Sequence, residues 1–99
     1  MVKMYRQGDV LLKKIEKIPK GVEPKEDDII LKGEATGHAH RIENGTIYTG
    51  GWPEVMYLEA EAEAALVHEE HNTIPIEAGV YEVIRQREYN PRRSRFVED

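Results

Sequence analysis

The sequence predicts an all-β domain, a small barrel or sandwich of about eight short strands. Three observations carry that expectation. Short apolar runs recur between Gly, Pro and Asn punctuation, those runs are rich in β-branched and aromatic residues, and no stretch of helix length keeps an unambiguous 3.6-residue period. The chain has 99 residues, enough for one core, and no Gly/Ser/Pro-rich linker divides it. Residues 1–99 are therefore read as a single domain, with 91–99 expected to form a flexible tail beyond Pro91.

Gly8 to Ile18 reads as a strand, with Val10, Leu12 and Lys14 on one face and Leu11, Lys13 and Ile15 on the other, ended by Pro19-Lys20-Gly21. Val22 to Asp28 is polar and contains Pro24, so it is expected to be a loop. Ile29-Ile30-Leu31 is β-branched and stops at Gly33. His38 to Glu43 forms a short strand, and Asn44-Gly45 is the strongest hairpin-turn signal in the chain, with Thr46 to Thr49 as the returning strand. Gly37 and Gly45 would let the backbone turn at both ends of that hairpin. Gly50-Gly51-Trp52-Pro53 breaks the run before Val55 to Leu58.

Glu59 to Val67 fits two patterns, since alternating Glu and Ala favours a helix by propensity and a strand by period. Period two favours the strand, with Leu58, Ala60, Ala62, Ala64 and Leu66 inward. Thr73 to Ile76 then leads through Ala78-Gly79 into the final strand, Val80 to Ile84.

The chain has no cysteine, which removes disulfides and thiolate ligands and leaves His, Asp, Glu and backbone oxygens to hold any metal. No apolar run is long enough for a signal peptide or a membrane span, so a cytoplasmic location and no membrane partner are expected. The net charge of −5 argues against indiscriminate nucleic-acid binding. Charge is uneven, however, with five of the seven arginines at Arg85, Arg87, Arg92, Arg93 and Arg95.

All four histidines fall in two short motifs, His38-Ala39-His40 and His68-Glu69-Glu70-His71. Two histidines at i and i+2 on a strand project from one face about 6.5–7 Å apart, and both rings can then converge on one ion. His68 and His71 share a face on a helical turn, whereas on a strand Glu70 replaces His71 as the partner of His68. The expected metal ligands are His38, His40, His68 and His71, for a divalent transition metal such as Zn, Mn, Fe or Ni. A metal-free acid/base pair is the alternative. Glu34, Glu43, Glu69 and Glu70 are candidate ligands, ring partners or bases, and Glu70 with His71 is the expected catalytic pair.

Arg85 and Arg87 alternate on the last strand and share a face. They either receive an anionic substrate or protect an edge strand from aggregation.

The segments Gly8 to Leu12, Gly33 to Arg41, Leu66 to His71, Gly79 to Val83 and Arg85 to Tyr89 together resemble a family of small, uncharacterised bacterial and phage proteins, with GHxHR, HEEH and RQREY motifs. That resemblance implies no activity. A looser similarity is to the cupins, metal-holding β-barrels with a Gly-x5-His-x-His-x3,4-Glu motif. Gly33 precedes His38 by one residue too few, Glu43 follows His40 too closely, and Glu82 and Gln86 stand where the second cupin motif has its own residues. The likeness is one of analogy.

The expected function is metal-dependent hydrolysis of an anionic or phosphate-bearing small molecule or a nucleic-acid end, with Glu70 activating water. The alternative is a non-enzymatic phage-type assembly or binding module in which the histidines and a metal are structural. Exposed strand edges would allow a homo-oligomer in either case.

Overall fold

The computed structural model describes residues 3–33, 37–51 and 54–85. Among them every regular element is a strand: β1 (Met4–Gln7), β2 (Val10–Ile15), β3 (Glu23–Pro24), β4 (Ile29–Lys32), β5 (Ala39–Gly50), β6 (Val55–Val67), β7 (Ile74–Ile76) and β8 (Gly79–Arg85). They form one antiparallel sheet in the order β1-β2-β8-β6-β5-β3, with β4 on β5 and β7 on β6, and the sheet does not close on itself. No described helix is long and apolar enough to cross a membrane. The tail expected at 91–99 lies outside the described residues.

The two-residue alternation of the sequence builds the core directly. Val10 and Leu12 of β2, Ile42 and Ile47 of β5, Leu58 and Leu66 of β6, and Tyr81 of β8 are buried on the inner face. Each contributes roughly 1.5–3 kcal/mol through the apolar surface it removes from water. Glu59 to Val67 is strand, as its alternation predicts. Ala62 departs from the expected inward set and is exposed.

Three expectations are corrected. The Gly8–Ile18 strand is shorter, and the segment before it, Met4–Gln7, is a strand of its own. The loop expected at 22–28 contains the two-residue strand Glu23–Pro24, paired with Tyr48 and Thr49. Above all, Asn44-Gly45 does not turn the chain, because β5 runs straight through it and the hairpin reverses after Gly50, which faces Val55.

The reason is visible in the register. Glu43 faces Ala65 while Gly45 faces Ala60, so β6 carries extra residues opposite Asn44. Asn44 takes φ 60° and Glu63 φ 64°, and the Asn44 side-chain amide donates to the Glu63 carbonyl at 3.1 Å. A Cβ at residue 45 would lie 2.9 Å from Ile42 Cγ1 and 3.0 Å from the Glu59 carbonyl. Asn-Gly therefore serves a bulge with close backbone approach, which also turns Ala62 outward.

Between β7 and β8, Glu77 ties three strands. Its N–H donates to the Tyr5 hydroxyl at 3.1 Å and its carbonyl accepts from Tyr81. Its carboxylate pairs with Lys14 and, at 3.4 Å, with Lys3. The hydrogen bond and charge of Lys14, followed by those of Lys3, hold the Glu77 carboxyl below the usual carboxylate range. A depressed carboxyl adds stability above the unfolded-state value and loses it as pH falls through the folded value. Glu77→Gln is therefore expected to lower Tm at neutral pH, where that contribution is complete, and to converge on the wild type as pH falls, which flattens the acid limb of a Tm-against-pH profile. An unchanged acid limb would refute that role.

Candidate metal centre

The inner face of β5 and β6 carries the site. Arg41 faces Val67 and Ile42 faces Leu66, with Ile42 and Leu66 both pointing into the core. Counting two residues back from Ile42 and two forward from Leu66 puts His40 and His68 on the same inward face, one register step beyond the apolar layer. Their ring centroids are 4.3 Å apart. The chain then bends through 68–71 and brings His71 back, with its ring 4.6 Å from His68 and 5.5 Å from His40.

Residues 68–71 are neither of the two backbones considered from the sequence, since they form a bend following β6. Two hydrogen bonds hold it. The Glu70 N–H donates to His68 Nδ1 at 3.0 Å, and the Ala39 N–H donates to Glu69 Oε1 at 2.9 Å, pinning the bend to the start of β5. That Ala39 bond, with Glu69's own N–H and then the nearby His38 and His68 rings, holds the Glu69 carboxyl below its usual range.

His40, His68 and His71 each offer a ring nitrogen, and these atoms lie within 4.8 Å of one another, a group that could hold a metal ion. His40 is buried, His68 half-buried and His71 exposed. His38 stands beside this triangle, its ring 5.8 Å from His68 and its Nδ1 3.4 Å from Glu70 Oε2. All four rings face one cavity of about 280 Å³, lined also by Gly8, Asp9, Gly33 and Glu70.

The other expected site residues are placed differently. Arg85 pairs with Val10 across β2 and β8 and lines a separate cleft with Glu54, Val55 and Glu82. It is not among the described residues lining the histidine cavity. Arg87 and Glu34 lie outside the described residues. Glu43 is exposed on β5, opposite Ala65.

Three contributors were not singled out for the site by sequence reasoning. Gln7 of β1 is 3 % exposed. Its Oε1 lies 2.8 Å from His40 Nδ1, and its Nε2 donates to the Leu66 carbonyl at 3.0 Å and the Asn72 carbonyl at 2.9 Å. Gly8, in the β1–β2 turn with φ 58°, presses its backbone on His71 and His40. Asp9 follows it at the cavity wall. A glycine before a strand and a lone glutamine carry no local signal for such a role.

The fold and this cluster define a small all-β protein with a candidate three-histidine metal centre. The chain belongs to the family described as Domain of unknown function (DUF8820), whose model matches residues 6–86. Neither curated proteins nor solved structures match it.

Proposed function

We propose that the protein binds one divalent transition metal through His40, His68 and His71 and uses it to hydrolyse a small anionic ester. The observation that carries this reading is the convergence of three imidazole nitrogens within 4.8 Å on a cavity rather than in a sealed core. Three protein ligands with room for water is the pattern of catalytic zinc, whereas structural zinc is enclosed by four. The donor set, imidazole without thiolate, suits Zn and its first-row neighbours.

Glu70, on the cavity wall and paired with His38, is placed to take a proton from a bound water. Lys and Arg are absent from the described lining of the cavity, so the ion itself supplies the positive charge that receives an anionic oxygen. Asp9 and Glu70 make the cavity attractive to a cation and selective against multiply charged anions. The cavity, at about 280 Å³, suits one ester group of a small molecule or a frayed strand end.

The test uses tag-free protein, dialysed against chelator and then reloaded. Near-stoichiometric Zn(II) or Co(II) uptake is expected, with metal-dependent turnover of an aryl phosphate diester, which carries a single charge. Glu70→Gln should keep the metal and lose about 10²–10⁴-fold in kcat. Absence of metal uptake sinks the reading. Uptake without turnover, and with no exchangeable water on Co(II), makes the centre a structural one.

A further inference from the structure

We infer that Gln7 fixes the protonation pattern of His40, keeping the proton on Nδ1 and Nε2 unprotonated, the form in which an imidazole ligates. The argument starts from the two carbonyls. Leu66 O and Asn72 O, 3.0 and 2.9 Å from the Gln7 amide nitrogen, can only accept. Turning the amide over would set Gln7 Oε1 against two carbonyl oxygens, so its orientation is determined. Both amide hydrogens are then used, and Oε1 is left as an acceptor. The group 2.8 Å from it, His40 Nδ1, must therefore donate.

In a neutral imidazole the nitrogen opposite a donating N–H carries the lone pair. For His40 that is Nε2. His68 is set the other way. Its Nδ1 accepts the Glu70 N–H, so its neutral ring carries the proton on Nε2. The cluster thus holds one histidine in the ligating tautomer and one that must move its proton from Nε2 to Nδ1, giving up the Glu70 N–H bond, or turn its ring first.

Gln7 is a positioning residue: it touches His40 and anchors both ends of the 66–72 segment, but does not face the cavity. Fixing the ring and tautomer from outside raises the basicity of the ligating nitrogen, and removal of such a partner typically lowers metal affinity about 10–100-fold. This consequence rests on the metal reading above; the tautomer does not.

The experiment is a long-range ¹H–¹⁵N spectrum of the metal-free, full-length protein at a pH where imidazole is neutral. His40 should show a protonated Nδ1 and a bare Nε2, with His68 reversed as an internal comparison. A His40 proton on Nε2 overturns the inference, and needs no variant that folds. Zn(II) titrations of two variants then separate positioning from anchoring. Gln7→Glu and Gln7→Met both remove the two donors, but only glutamate keeps the acceptor. Affinity held within about threefold in Gln7→Glu and lowered about 10–100-fold in Gln7→Met supports positioning. Equal losses, or none in Gln7→Met, overturn it. Wild-type protein with the expected tautomer that takes up no Zn(II) overturns the metal reading alone.

Discussion

His40→Ala is expected to lose at least about a hundredfold in Zn(II) affinity, while His38→Ala keeps wild-type binding within a few-fold. The asymmetry follows from geometry, because His38 shares the cavity but not the triangle of nitrogens within 4.8 Å. Its Nδ1 is directed at Glu70 Oε2 instead. Structural zinc sites bind with about 10–16 kcal/mol, so one imidazole of three or four accounts for roughly 3 kcal/mol, on the order of a hundredfold. Metal-linked stability reports the same split. At a hundred times Kd a ligand adds about 2.7 kcal/mol to the folded state. That rise in Tm should vanish in His40→Ala and persist in His38→Ala. Equal losses in the two variants would place His38 in the ligand set and enlarge the centre to four histidines.

The shared inward direction of His40 and His68 was legible, because it follows from strand alternation. Their meeting needs the Arg41–Val67 pairing and His71 the bend after β6, neither of which the expected Asn44-Gly45 hairpin supplies. Once Ile42 and Leu66 point inward, His40 and His68 must follow them, and any antiparallel pairing that sets Arg41 against Val67 brings the two together. Val10 and Leu12 share a face by the same alternation, and both are buried. Asn44-Gly45 was not legible, since a residue that tolerates positive φ beside one without a Cβ suits a type I′ turn and a bulge alike. What decides between them is the Glu59 carbonyl 3.0 Å from a Cβ at residue 45, a contact between segments no local pattern links. Gln7 was hidden for the same reason, its partners lying 59 and 65 residues away. For Arg85 strand alternation sets a face but not an end of the sheet. Sharing an inward row with Val83 does not place it among the histidines, and it lines another cleft.

Gly8→Ala should remove His71 from the centre while leaving the fold intact, with a loss of about a hundredfold in Zn(II) affinity, comparable to deleting an imidazole. Two effects act at once. Residue 8 has φ 58°, a left-handed conformation that costs an alanine about 1–2 kcal/mol. The new Cβ would also lie 2.8 Å from His71 Nε2, 3.2 Å from His71 Cε1 and 3.3 Å from His40 Cε1. His40 is buried and held through Gln7, so it cannot yield. His71 is exposed on its bend and can swing into solvent, which relieves the clash at the expense of the ligand set. Gly21→Ala separates the two effects, because Gly21 has φ 93° and nothing within 4 Å of its Cβ position. It should show the backbone strain as a Tm decrease of similar size and bind Zn(II) as the wild type does. If Gly8→Ala lowers Tm like Gly21→Ala but keeps full affinity, the β1–β2 turn does not hold His71 in place, and the centre does not need that ring.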